Sequence, residues 1–252
     1  MSLEFVESEI AHLGPILLPR VRHDRPTRPW WEAARLHSMF HYLNLPDAPP
    51  QRVLDVGAEM GDMSALFALW GCDVFLVEPN PKAWPWIQAH FEANDLHHCG
   101  WFTGLPGDSP TMTAEFGLHP DDAYNWPSFA ADAADPETGF YHLDEHGGVA
   151  APVMTLDQLV AETGFIPTAI TVDIEGGEAR LLEGMTETLR EHRPRVWMSI
   201  HPEFMRDRYG IGGPVDFVLD YFRTQVDYEP VFLAKDHEEH WMFLPKEEGW
   251  VW

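Results

Sequence analysis

The apolar residues of this chain change their period along its length, and the changes mark its elements. Trp31, Leu36, Phe40 and Leu43 fall roughly on one helical face, so the spacing predicts a helix from Trp30 to Leu45, stopped by Pro46, Pro49 and Pro50. Upstream, residues 1–29 set one short apolar stretch, Ile16 to Leu18, among arginines and prolines and read as an irregular arm. From Arg52 the pattern alternates. Short apolar runs at Val53–Val56, Val74–Val77, Ala169–Val172 and Val196–Ile200 read as buried parallel strands, with a fainter one near His98–Thr103. Helical spacing lies between them: Asp62–Trp70, packing through Leu66, Phe67 and Leu69 and stopped by Gly71; a helix through Trp84, Ile87 and Phe91; and a short one opening at Thr155-Leu156-Asp157. Two more follow, Ala179–Arg190 with Leu181, Leu182, Met185 and Leu189 inward, and Val215–Phe222. Tyr228–Leu233 and Trp241–Leu244 make a terminal hairpin around residues 236–239. Residues 104–150, rich in Gly, Pro, Asp and aromatic side chains, hold no sustained period.

Alternating strands and helices imply an α/β fold, a mostly parallel sheet covered by helices on both faces and closed by a C-terminal antiparallel hairpin. Ligands in such sheets gather beyond the carboxyl ends of the strands, where the strand order reverses. The residues at those ends are Asp55–Gly61, Glu78, Asp173–Glu178 and His201. The 252 residues suit one large domain. The expected organisation is an N-terminal arm and helix over 1–50, then one domain over 51–252 interrupted by an irregular insertion at about 105–152. A homo-oligomer is compatible with it.

Composition narrows the function classes. Hydrophobic residues at 45% and charged residues at 23% exclude a disordered or fibrous chain. No apolar run approaches the roughly 18 residues of a membrane span. The acidic opening MSLEFVESEI lacks a signal-peptide pattern, so a cytoplasmic location is expected. Cys72 and Cys99 are too few for a disulfide scaffold or zinc ribbon. A formal net charge of −25 argues against nucleic acid and against an anionic membrane as partners.

Three strand ends carry candidate chemistry. The turn Asp55-Val56-Gly57-Ala58-Glu59-Met60-Gly61 follows the first core strand and opens a helix. It has neither the GxGxxG pattern nor a phosphate-loop lysine, and Glu59 would repel a pyrophosphate, which disfavours a nicotinamide dinucleotide. A nucleoside without phosphate, such as S-adenosylmethionine, meets no such objection. Glu78 ends the next strand, 21 residues after Gly57, the spacing at which an acid accepts hydrogen bonds from ribose hydroxyls. Asp173-Ile174-Glu175-Gly176-Gly177-Glu178 sets three carboxylates at the fourth strand end. Glu178 suits a helix N-terminus, whereas Asp173 points toward the crevice. His237-Glu238-Glu239-His240 has the wrong histidine spacing for a helical zinc site and reads as a polar turn.

Together these stretches resemble the FkbM family of S-adenosylmethionine-dependent methyltransferases. The resemblance covers about residues 52–104 and 153–204, and more weakly the terminal hairpin. Leu54-Asp55-Val56-Gly57-Ala58 with Gly61-Asp62 is similar to the family's first motif, and Val77-Glu78-Pro79-Asn80-Pro81 to its second. Thr155-Leu156-Asp157, Val172-Asp173-Ile174-Glu175-Gly176 with Glu178 and Gly184, and Pro194 through His201 are similar to its later signatures. The resemblance implies a Rossmann-like class I methyltransferase with a seven-stranded sheet of order 3-2-1-4-5-7-6. It also implies methyl transfer to a hydroxyl, commonly on a sugar, glycan or polyketide. Carried over by position, Asp55, Gly57, Ala58 and Gly61 line the methionine end of the cofactor, Glu78 the ribose and Gly107-Asp108 the adenine, with Glu59, Pro79, Asn80 and Asp173 as further cofactor-binding candidates. Glu59, Thr171 and Ser199 depart from the family, which often has Asn, Lys and Glu there.

A hydroxyl acceptor loses a proton as it accepts a methyl group, so a base or a cation is required. One reading makes His201 the general base, oriented by Asp173 or Glu175. The rival places Mg or Mn on Asp173, Glu175 and His201, with Glu203 as a fourth candidate. Residues 105–152 are expected to fold over the crevice and, with Trp30 and Trp31, to shape the acceptor pocket through Phe116, Tyr124, Trp126, Phe129, Tyr141, Asp121, Asp122 and His142. A binding module that keeps the fold without catalysis is the alternative from another function class.

Overall fold

A computed structural model describes residues 4–10, 14–20, 33–44, 48–79, 83–108, 111–118, 127–128, 148–235 and 238–248. Its centre is a seven-stranded sheet. Five strands are parallel: β3 (Arg52–Val56), β4 (Asp73–Val77), β5 (Gly100–Phe102), β10 (Ala169–Val172) and β11 (Arg195–Ile200). The last two, β12 (Tyr228–Lys235) and β13 (Glu239–Pro245), form an antiparallel hairpin, and β13 pairs antiparallel with β11. From one edge the order is β5, β4, β3, β10, β11, β13, β12. The chain runs outward from β3 and then returns to β10 on its other side, so the order reverses between these two strands. Their carboxyl ends border the crevice.

Strand periodicity divides the core in two. Leu54, Val56, Phe75, Val77, Ile170 and Val172 face one layer, which holds α4 (Leu156–Thr163), α5 (Glu178–Glu183), α6 (Thr186–His192) and α8 (Pro214–Gln225). Val53, Val74, Leu76 and Trp197 face the other, with α1 (Ala33–Leu43), α2 (Asp62–Leu69) and α3 (Trp84–Ala93). Each buried Leu, Val or Phe side chain contributes about 1.5–3 kcal/mol of transfer free energy, an upper bound when summed. Among the described residues no helix is long and apolar enough to cross a membrane.

Several sequence expectations need correction. The N-terminal arm is not irregular: β1 (Phe5–Glu9) and β2 (Pro15–Pro19) pair antiparallel, and Ile16 and Leu18 enter the core. Asn94 at the end of α3 holds this hairpin, because its Oδ1 accepts from the Leu17 amide at 2.8 Å and its Nδ2 donates to the Leu17 carbonyl at 2.9 Å. Residues 105–152 are not wholly irregular either. β6 (Leu105–Pro106), β7 (Thr111–Leu118), β8 (Pro127–Ser128) and β9 (Gly148–Met154) make a second sheet in the order β6-β9-β7-β8. A register shift between Thr111 and Ala114 interrupts its alternation, and its pairing is long-range, so no local period reveals it. Trp30 and Trp31, together with Asp121, Asp122, Tyr124, Trp126, Phe129, Tyr141 and His142, lie outside the described residues, as does the side chain of Phe116.

The expected helix at 179–190 is two helices, α5 and α6. The break is at Gly184, where a Cβ would fall 1.9 Å from the Gly107 carbonyl oxygen. Asp157 secures the second helix by accepting from the backbone amides of Glu187 at 3.1 Å and Thr188 at 2.7 Å. Leu69 is 39% exposed rather than packed. A further helix, α7 (Pro202–Tyr209), follows β11 directly.

Candidate active site

The turn after β3 is wedged between two neighbouring strand ends. The amides of Gly57 and Ala58 donate to the Val77 carbonyl at 2.9 and 3.2 Å. Gly57, at φ 89°, leaves no room for a side chain, since a Cβ would meet the Asp173 carbonyl oxygen at 1.9 Å. The glycine at this position therefore admits the end of β10, not only a ligand. Glu59 is held at φ 55°, a left-handed conformation that costs about 1 kcal/mol, and its amide donates to Glu78 Oε2 at 2.9 Å. Gly61, at φ 78°, starts α2. Ala58, Glu78 and Pro79 are buried around this turn, while Asn80 lies outside the described residues.

Two residues carried over to the cofactor are engaged elsewhere. Asp55 is buried, and its carboxylate accepts from Thr171 Oγ1 at 2.6 Å and from Ser64 Oγ. Burial pushes its carboxyl up, and these two hydroxyls oppose the shift. Its side chain thus ties β3 to β10 and α2. Asp108 lies 3.6 Å from Arg180 Nε, which ties the stretch after β6 to α5.

The acidic turn after β10 meets the end of β11. His201 is 4% exposed. Its Nδ1 lies 2.8 Å from Oε1 of Glu178, which is fully buried, and its Nε2 lies 2.5 Å from Oε2 of Glu238. Asp173 Oδ1 and Glu175 Oε2 are each 3.6 Å from the same Nε2. Burial alone would lower the imidazole pKa, but the hydrogen bonds to Glu178 and Glu238 carry it well above its ordinary value. Nδ1 bonds Glu178 and Nε2 faces Glu238, so both ring nitrogens lie against carboxylates, which favours the protonated ring. A general base needs a lone pair, and in this structure each ring nitrogen of His201 is turned toward a carboxylate.

The expected metal set also changes. Ligand atoms of Asp173, Glu175 and His201 lie within 4.8 Å of one another, but Glu203 is an exposed residue of α7 and does not join them. A cation there would need His201 neutral, with a lone pair where Nε2 now faces Glu238 at 2.5 Å.

Three partners of this cluster, Glu238, His240 and Arg35, were not indicated as site residues by the sequence. Glu238 and His240, assigned to a polar turn, are 7% and 2% exposed, and Glu238 contacts His201 directly. Their alternate spacing at the start of β13 was the available signal. Ser199 of β11 donates to Asp173 Oδ2 at 3.2 Å. Arg35 of α1 lies 3.6 Å from the same oxygen, and no local pattern indicated it. Desolvation, then Glu238, pushes the Asp173 carboxyl up, while His201 and Arg35 pull it down. Phe204, exposed at the start of α7, stacks on the His201 ring at 5.8 Å and 15°.

A search of curated protein sequences found no match. Among solved structures, an FkbM methyltransferase from Methylobacillus flagellatus KT is 15% identical, with a TM-score of 0.48 over 84% of this chain and 53% of that one. An rRNA methylase from Streptococcus thermophilus is 9% identical, with a TM-score of 0.46 over 84% of this chain and 96% of that one. A magnesium protoporphyrin IX methyltransferase from Synechocystis PCC 6803, with bound SAM, is 11% identical, with a TM-score of 0.45 over 82% and 76%. The chain spans about half the length of the first of these. The model of the methyltransferase FkbM domain matches residues 55–249, which include the carboxyl end of every parallel strand of the central sheet, and the chain belongs to that family.

Proposed function

We propose that this chain is an S-adenosyl-L-methionine-dependent O-methyltransferase acting on a hydroxyl of a sugar, glycan or polyketide-type small molecule. The crevice suits that cofactor. Glu78 is a buried carboxylate at the strand end where a ribose diol needs an acceptor, and the Glu59 amide orients it. The turn from Gly57 to Gly61 has backbone amides and no basic side chain, which fits a nucleoside without phosphate. When bound, the cofactor supplies a methyl group on a positively charged sulfur. Gly57, Ala58, Gly61 and Glu78 would hold it.

The single observation that carries this reading is the contact of Gly57 with the Asp173 carbonyl, which joins the cofactor turn to the carboxylate cluster in one crevice. Asp173 is half-buried with a raised pKa, which suits a proton acceptor. It takes the proton that the acceptor hydroxyl loses as that oxygen bonds the methyl carbon. His201, set between Glu178 and Glu238, balances their charge in its protonated form. The strongly acidic chain favours a neutral small acceptor over nucleic acid.

Labelled methyl transfer to a panel of sugars and polyketide alcohols, with calorimetry for cofactor affinity, tests the reading. Asp173→Asn should lower kcat by about a hundredfold or more, and wild-type turnover in that variant would refute its role. The proximity of Asp173, Glu175 and His201 favours one competing reading, Mg or Mn catalysis. Full turnover in excess EDTA is expected, and loss that Mg or Mn restores would replace the metal-free version. Cofactor binding without methylation of any acceptor would indicate a binding module.

A further inference from the structure

Arg35 reaches the crevice from α1, outside the residues 55–249 that match the family. Its Nη1 lies 3.1 Å from Ser199 Oγ and 3.2 Å from His240 Nδ1, and its Nη2 lies 3.6 Å from Asp173 Oδ2. A guanidinium only donates, and Nη1 carries two hydrogens, one for each of these neighbours. His240 Nδ1 must then be an acceptor. The ring proton sits on Nε2, which lies 3.5 Å from Glu238 Oε1.

Ser199 has one hydroxyl proton and two acceptors within reach, His240 Nδ1 at 3.0 Å and Asp173 Oδ2 at 3.2 Å. An imidazole Nδ1 offers a single lone pair, and Arg35 occupies it. A carboxylate oxygen accepts several donors and forms the stronger, charge-assisted bond. With Arg35 in place the hydroxyl proton goes to Asp173. Without it, the nearer acceptor is His240, and Asp173 loses both a donor and a neighbouring cation.

We infer that Arg35 is a positioning residue: by occupying the His240 Nδ1 lone pair it turns the Ser199 hydroxyl onto Asp173 and fixes the orientation of that carboxylate. The functional part rests on the proposed role of Asp173; the tautomer of His240 does not. α1 is therefore a wall of the site rather than a peripheral helix.

Long-range proton–nitrogen spectra of the 15N-labelled full chain at pH 8 should show His240 neutral with its proton on Nε2. Arg35→Ala should shift the Nδ1 resonance, and Arg35→Lys should restore part of the shift. In the methyl-transfer assay, Arg35→Ala should lower kcat by about tenfold or more, with cofactor affinity within about twofold of wild type. Ser199→Ala should reproduce that loss, and the double variant should add little to it, as expected for residues acting through one bond. A proton on His240 Nδ1 in the wild type overturns the inference, as does wild-type kcat in Arg35→Ala. Absence of any methylated acceptor for the wild type would defeat the proposed function instead, and the His240 spectrum alone would then decide the role of Arg35.

Discussion

Glu178→Gln is the sharpest probe of the charge state of the site. The substitution keeps the side-chain volume and removes one negative charge from a position with no exposure. In the wild type, Glu178 Oε1 accepts from the Gly176 amide at 3.1 Å and bonds His201 Nδ1 at 2.8 Å. An amide oxygen can accept both bonds, but the one to His201 loses half of its charge assistance. Deleting one partner of a buried pair costs about 3–5 kcal/mol. Here the amide keeps the acceptor and Glu238 still faces Nε2 at 2.5 Å, so a loss of about 2–3 kcal/mol is expected.

The sign of the pH dependence follows from the same geometry. The folded state raises the His201 pKa, so the stabilisation is complete below the unfolded value near 6.5 and disappears as pH rises through the higher folded value. The difference between wild type and variant should be largest near pH 6 and shrink toward alkaline pH. Urea unfolding followed by circular dichroism at a series of pH values from about 6 upward measures it. A loss under about 0.5 kcal/mol at pH 6, or one that grows with pH, would refute the imidazolium assignment.

Two further outcomes are expected. Gly57→Ala should destabilise the fold by several kcal/mol and abolish cofactor binding, whereas Gly71→Ala, at φ 86° with nothing within 4 Å of its Cβ, should cost only about 1–2 kcal/mol; equal unfolding midpoints would contradict the wedge against Asp173. Asn94→Ala removes both side-chain bonds to Leu17 and should cost about 1–3 kcal/mol, with faster hydrogen exchange confined to residues 5–19; unchanged exchange there would show that apolar packing alone holds the hairpin.

The raised pKa of His201 gives the carboxylate cluster a consistent logic. Asp173, Glu175, Glu178 and Glu238 crowd one end of the sheet, and four like charges in a half-buried site would repel. His201 lies among all four and Arg35 adds a second positive charge at Asp173. In the proposed mechanism Asp173 takes the proton, and His201 offsets the charge of the neighbouring carboxylates. The stacked ring of Phe204 covers one face of the imidazolium and presents apolar surface to solvent beside the crevice.

What the sequence determined by itself was local. The apolar runs of β3, β4, β10 and β11 and the residues that end them could be read directly, because a buried strand announces itself over four or five neighbouring positions and a parallel sheet places its chemistry just beyond. Gly57, Glu78, Asp173 and His201 were legible for that reason. Tertiary structure alone decided how distant segments complete the site. Arg35 meets Ser199 across 164 positions and His240 across 205, separations at which no periodicity carries information. The pairing of β7 with β9 is hidden in the same way. The environment of His201 was decided there too: by residue type a histidine at a strand end is a candidate base, but Glu178 and Glu238 close on its two nitrogens only in the folded chain, and those carboxylates raise its pKa against the opposing effect of burial.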